Sequence, residues 1–192
     1  IFDWASRWRR AGVGETAVRR GIGMATGAFS ARTGRSSALL RLDGTGQLWV
    51  HVAVTDIGTA AKTTMALLAA EAMEMQLDDV RVVWGDTDRC PYSVGESGSR
   101  TTVQTGDAVL AAAADLRQQL LVRGPPRGDA VLVAEATTNP RIDGMARYAS
   151  AAHFVEIEAD MAVGHVRVVR YVAVHESGRI LNPLTAASQV KG

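Results

Sequence analysis

A chain of 192 residues, 47% hydrophobic and 21% charged, is long enough to bury one sizeable core or two small ones and lacks the polarity of a disordered protein. Its net charge of +1 with dispersed basic residues leaves no footprint for nucleic acid, no apolar run approaches the roughly 18 residues of a spanning helix, and Ile-Phe-Asp-Trp is no signal peptide. The single cysteine, Cys90, makes no internal disulfide and cannot alone hold an iron–sulfur cluster, while the missing initiator methionine and the ending Val-Lys-Gly read as a piece of a longer chain.

Residues 1–20 carry Trp4, Trp8, Arg7, Arg9, Arg10, Arg19 and Arg20 without clear periodicity and read as a short helix followed by a linker. From Gly21, Gly-Ile-Gly-Met-Ala-Thr-Gly-Ala-Phe predicts a glycine-rich strand, where absent side chains serve tight packing or the approach of a ligand. The runs Ser36 to Leu42 and Gln47 to Thr55 flank Asp43-Gly44-Thr45-Gly46 and predict a β-hairpin, Asp-Gly supplying the positive φ of a tight turn. Thr63 to Met75 places Met65, Leu68, Ala69, Ala72 and Met73 on one helical face and Glu71 and Glu74 on the other. The β-branched run Val80 to Trp84 predicts a strand, and Gly85 to Gly98 a loop. A long helix follows from about Thr101 to Val122, burying Val109, Leu110, Ala113, Leu116 and Leu120 and stopping before Gly124-Pro125-Pro126.

In the last third, Val155, Ile157 and Ala159 share one face and Val166 and Val168 another across the loop Asp160 to Gly164, which predicts two antiparallel strands. The second continues through Tyr171 to Val174 and leads to Asn182-Pro183, a turn with proline suited to the first turn of a helix. Strands and helices mix without a regular βαβ repeat, so the fold class is α+β, with no solenoid period.

The sharpest chemical signal is Gly95-Glu96-Ser97-Gly98-Ser99-Arg100-Thr101-Thr102 at the start of the long helix. Unpaired N–H groups and a partial positive charge there favour an anion, and Arg100 can add a charge-assisted contact. By spacing alone the same residues read first as a plain N-cap by Ser99 or Thr101, since capping residues are common at helix starts. A second small-residue turn, Asp56-Ile57-Gly58-Thr59-Ala60-Ala61-Lys62-Thr63, leads from strand to helix but lacks the glycine spacing of a phosphate loop. Asp86 and Asp88 fit a solvated turn better than a cation site, His51, His153, His165 and His175 lack zinc-ligand spacing and read as structural, and neither a nicotinamide fingerprint nor a serine-nucleophile motif is present. No metal ligand is assigned.

Four strings in order, DIGTAAKTTMALLAAE from Asp56, VRVVWGDTD from Val80, GSRTTVQTG from Gly98 and VAVHESGRILNP from Val172, with HFVEIEAD and GHVRVVR between the last two, resemble successive motifs of the molybdopterin-binding subunits of the xanthine dehydrogenase and aldehyde oxidase family. The resemblance implies that residues 21–192 form a partial, incomplete molybdenum-cofactor-binding domain, with Ser99, Arg100, Thr101 and Thr102 against the pyranopterin and Gly58 and Thr59 approaching from another side. Ala60 and Ala61 depart from the glycine and threonine common in related chains. It further implies hydroxylation of an aldehyde or N-heterocycle by a water-derived hydroxyl on molybdenum, activated by a glutamate. The resemblance also implies that hydride passes to a sulfido ligand and that electrons leave through iron–sulfur clusters and FAD on partner subunits. That glutamate is expected beyond Gly192 in a Gly-x-Gly-Glu stretch, so the catalytic residue is unassigned, and a glutamine-glycine segment touching the cofactor is expected just past Gly192. Gly12-Val13-Gly14-Glu15 spells the same pattern in the wrong place and reads as coincidence. The expected location is the cytoplasm, or the periplasm if a targeting sequence lies elsewhere. The competing reading is a non-catalytic, degenerate scaffold of the same fold without cofactor, which Ala60 and Ala61 favour.

Overall fold

Alternation of buried and open side chains organises the larger of two units in a computed structural model that describes residues 3, 5–6, 17–140 and 147–192. The readings of Trp4, Trp8 and the arginines up to Arg10, and of Gly12 to Glu15, lie outside the described residues. Four strands form one sheet in the order β4-β3-β2-β5: β2 (Ser36–Gly44), β3 (Leu48–Val52), β4 (Val80–Trp84) and β5 (Gly128–Thr138). Registered pairs align Leu132, Leu42, Leu48 and Val80 in one row and Ala134, Leu40, Val50 and Val82 in the next, so the period of two puts every apolar side chain of these rows on one face. Helices α1 (Ala61–Met73) and α2 (Gly106–Arg123) supply the buried partners, among them Met65, Ala69, Val109, Ala113 and Leu116. Leu40, Leu48, Met65 and Leu116 are each fully buried, worth about 1.5–3 kcal/mol apiece in transfer from water.

The hairpin forms as expected, but its glycines divide the work differently. Gly46 takes the positive φ of 87°, and Gly44 is instead needed because a Cβ there would stand 2.2 Å from the carbonyl oxygen of Gly128 on β5. Asp43 ties the loop, its Oδ1 accepting from the amides of Thr45 at 3.0 Å and Gln47 at 3.1 Å and its Oδ2 from the Trp49 indole at 3.0 Å. The Thr45 hydroxyl foremost, then the indole, hold the Asp43 carboxyl down to about 2.

The expected helix at Thr63 to Met75 begins two residues earlier, and its buried set includes Thr64, Ala66 and Ala70, wider than a single stripe because α1 packs against both the sheet and α2. Because β3 and β4 run parallel on either side of α1, the chain contains one βαβ crossover within its α+β fold. Leu110, expected in the core, is 41% exposed: the buried stripe of α2 runs through Ala108, Val109, Ala112, Ala113 and Leu116, and Leu110 falls on its flank. Asn182 caps α3 (Pro183–Lys191), accepting through Oδ1 from the amides of Leu184 and Thr185, with proline at the first helical positions.

The other unit is a three-stranded antiparallel sheet in the order β1-β6-β7: β1 (Val18–Ser30), β6 (Tyr148–Asp160) and β7 (His165–Glu176). The antiparallel pair of the last third is present, with a bulge after Glu156 that carries β7 past Val169. Within this unit, tight packing does not account for Gly23, where a Cβ would make ordinary contact with Val155, or for Gly27, where it would meet nothing within 4 Å, while at Gly21 it would stand 3.4 Å from Ile157. Glu158 crosslinks the three strands, accepting from Arg20 of β1 at 2.8 Å and from Arg167 of β7, and the two guanidiniums hold its carboxyl below the usual range.

Candidate functional site

Strand direction brings the predicted site segments to one end of the four-stranded sheet. The parallel strands β3 and β4 both finish there, and their antiparallel neighbours place the start of β2 and the finish of β5 beside them, as Ala38 opposite Val52 and Ser36 opposite Thr138 record. Residues 53–60 leave β3 at this end and residues 85–98 leave β4, the usual place for a ligand in a sheet with parallel strands. The helices agree. Gly106 near the start of α2 meets Leu68 of α1, where a Cβ would stand 2.9 Å from Cδ1, and further along Arg117 donates to the Ala72 carbonyl at 2.9 Å and pairs with Glu74 at 2.7 Å. These contacts advance in the same direction on both helices, so the two N-termini lie toward one end.

At the start of α2 the chain makes a π-helical turn over Thr101–Thr105, where an ordinary helix was expected from Thr101. Neither Ser99 nor Thr101 provides a side-chain cap: Ser99 sits at φ 59°, and Arg100 occupies the cap position without a side-chain hydrogen bond. The amides of Thr101, Thr102 and Val103 precede the first intrahelical donor, Gln104, whose amide bonds the Arg100 carbonyl at 2.7 Å. Ser99 and Thr102 are exposed, and Arg100 and Thr101 half-buried. Arg100 turns inward along the loop, donating through Nε to the Ser97 carbonyl at 2.6 Å and through a terminal nitrogen to the Thr33 carbonyl at 3.4 Å. Two of its donors are therefore spent on holding the turn.

Gln104, which sequence reasoning passed over, anchors this end. It is 2% exposed, accepts from the Gly34 amide at 3.1 Å through Oε1 and donates to Thr138 Oγ1 at 3.0 Å through Nε2. The only signal was a lone amide side chain in an otherwise small and hydroxylated run. Gly98 is fixed twice over, by φ +65° and by the Arg32 side chain, which lies 2.4 Å from where a Cβ would stand. Among the described residues, Glu96 Oε1 is a buried side-chain oxygen with no hydrogen-bond partner.

The second turn is closed on itself. Asp56 Oδ1 accepts from the amides of Gly58 and Ala60, each at 3.1 Å, so those two donors are already used. Gly58 adopts φ +95°, Thr59 is exposed, and Ala60 caps α1 at φ 57° and ψ 39°, a left-handed conformation that glycine adopts without penalty. Asp86 forms the expected turn, accepting from the Asp88 amide at 2.9 Å. His51 bonds the Arg89 carbonyl at 3.1 Å, and burial pushes its imidazole below the usual range. The remaining surprise is on the smaller sheet, where His153 and His175, distant in sequence, meet.

Comparison with known proteins places this geometry in a family. The model for the molybdopterin cofactor-binding domain matches residues 1–126 and 130–192. The aldehyde oxidoreductase molybdenum-binding subunit of Escherichia coli O157:H7 is 32% identical over 220 residues, covering 100% of this chain and 30% of that protein. The xanthine dehydrogenase molybdenum-binding subunit of the same organism is 27% identical over 242 residues, covering 100% of this chain and 31% of that protein. In fold, the reconstituted CO dehydrogenase from Oligotropha carboxidovorans superposes with a TM-score of 0.82 at 22% identity, covering 97% of this chain and 29% of that one. The chain thus spans about 30% of the length of the curated relatives it matches. Because the family model matches residues 1–126 and 130–192, nearly the whole chain, the chain belongs to the molybdopterin cofactor-binding domain family.

Proposed function

We propose that this chain supplies part of the cradle for a molybdenum–molybdopterin cofactor in the molybdenum-binding subunit of a cytoplasmic hydroxylase of aldehydes or N-heterocycles. The observation that carries the reading is that two helix N-termini and the hydroxyl-bearing turns before them lie toward one end of the sheet. The donor set fits the anionic, hydrogen-bonding part of such a group: the amides of residues 101–103 and the exposed hydroxyls of Ser99 and Thr102. The buried, unpartnered Oε1 of Glu96 is an acceptor and suits an N–H of the group, not its anionic part. When bound, the group supplies oxidation of a substrate carbon, and the electrons leave to iron–sulfur and FAD partner subunits.

The residues of this chain bind and orient. Ser99, Thr101 and Thr102 offer hydroxyls and amides, while Arg100, held by the Ser97 and Thr33 carbonyls, fixes the turn and lends it positive charge. Gly58 contributes a backbone without side-chain bulk, and Thr59 an exposed hydroxyl. No residue here is assigned the catalytic base.

The test measures molybdenum and pterin in the purified full-length assembly, then in Arg100→Ala and Thr101→Ala. Loss of one or two charge-assisted hydrogen bonds should weaken cofactor retention by about tenfold. Unchanged occupancy and activity would refute the contact. A wild-type assembly containing neither molybdenum nor pterin would establish the cofactor-free scaffold instead.

A further inference from the structure

The smaller sheet carries a pair of imidazoles that the cofactor reading does not use. His153 on β6 stands opposite Ala173, and His175 on β7 opposite Ala151, so the two side chains are diagonal neighbours on the same face. Their Nε2 atoms lie 3.0 Å apart, and their rings are tilted at 60° with centroids 4.9 Å apart. On the far side of His153 its Nδ1 is hydrogen-bonded to the Tyr171 hydroxyl, with the phenol edge-on at 87°. Tyr171 stands opposite Val155, which puts it on this face as well. Across β6, the β1 residues on the same face nearest the imidazoles are Gly23, Ala25 and Gly27, opposite Val155, His153 and Ala151, so at those positions β1 presents nothing larger than a methyl group.

Two nitrogens 3.0 Å apart suit adjacent ligands of one metal ion, since an ion about 2.0–2.1 Å from each would be seen at an angle of about 95°. Binding needs a lone pair on each Nε2, hence a proton on each Nδ1. At His153 that proton has its acceptor in place, the Tyr171 hydroxyl, which is how a neighbouring oxygen commonly orients a metal-binding histidine. We propose that His153 and His175 form a two-imidazole chelate for a divalent transition metal ion of the imidazole-preferring class, copper, nickel or zinc. No group of three or more His, Cys, Asp or Glu able to hold a metal occurs among the described residues, so water completes the coordination and the site stays open. Cu²⁺ binds most tightly, following the usual order for nitrogen ligands. The proposal uses none of the residues of the helix N-termini above.

The purified full-length protein is titrated with Cu²⁺ and followed by electron paramagnetic resonance and calorimetry. The expected result is one equivalent bound, with nitrogen coupling from two imidazoles. His153→Ala and His175→Ala should each lose about tenfold or more in affinity and one nitrogen from the spectrum, and Tyr171→Phe should lose about tenfold with both nitrogens kept. Zn²⁺ should raise the melting temperature of the wild type but of neither histidine variant, and molybdenum content should be the same in all four proteins. A wild type that binds no equivalent, showing the pair to be joined only by an N–H···N hydrogen bond, overturns the proposal. So does a spectrum unchanged in either histidine variant.

Discussion

The two units hold together by different physics. In the four-stranded unit one sheet face is closed over by α1 and α2, and its rows of leucine, valine and alanine are removed from water. In the three-stranded unit Val166, Val168, Tyr171 and Val174 are more than half exposed, and its strands are joined by their ladders and by the Arg20–Glu158–Arg167 link. Apolar burial tolerates little change in volume, while exposed pairs tolerate a good deal. The sharpest break of this contrast is Leu40→Ala, expected to cost about 3 kcal/mol by denaturant unfolding, set against Val168→Ala, expected to cost less than about 0.5 kcal/mol. Equal losses would mean that the smaller sheet is no less dependent on burial than the larger.

Next in size is the anchor of the candidate site. Gln104→Ala strips partners from the Gly34 amide and Thr138 hydroxyl in a buried setting and should cost about 2 kcal/mol. The same substitution should lower molybdenum retention, because the turn that Gln104 fixes carries Thr101 and Thr102. A stability loss with full retention would detach the anchor from the site. Ala60→Gly works in the opposite direction: freeing a left-handed alanine should raise stability by about 1 kcal/mol, read as a higher denaturation midpoint. A fall would mean that the added chain entropy of glycine outweighs the released strain.

These residues also mark how far the sequence could be read. The hairpin, the strand Val80–Trp84, the pair β6 and β7 and the helix start at Pro183 were legible because each is written in neighbouring residues, as alternation, turn chemistry or a proline suited to a first helical turn. The convergence of the two helix N-termini was reached only through the family resemblance. What was not legible depends on partners far along the chain. The π-helical turn accompanies a Gln104 that reaches Gly34 and Thr138, and nothing in Thr-Thr-Val-Gln-Thr announces either contact. Arg100 looked free to meet an anion, and only the fold shows its donors turned to the Ser97 and Thr33 carbonyls. The histidine pair needs the register of β6 on β7, with a bulge between, before positions 153 and 175 become neighbours.

The smallest expected effect separates the units by the origin of a charge. Asp43 in the larger unit and Glu158 in the smaller both titrate below their ordinary values, one held by the Thr45 hydroxyl and Trp49 indole and the other by Arg167 and Arg20. A folded-state value below the unfolded one stabilises the fold above the unfolded value, and that stabilisation disappears as pH falls through the folded one. For Asp43 the loss therefore runs from its ordinary 3.8 down to about 2, and Asp43→Asn should differ from the wild type at pH 7 yet match it below that window. Salt tells the two apart. Ions screen the exposed arginine pairs around Glu158 but leave short hydrogen bonds at Asp43 in place, so raising ionic strength to about 1 M should move the Glu158 titration up toward its ordinary 4.5 and leave that of Asp43 where it is. Carboxyl carbon shifts followed by nuclear magnetic resonance read both groups in one titration. Equal salt shifts would show that Asp43 is held by charge as well, and would erase this difference between the units.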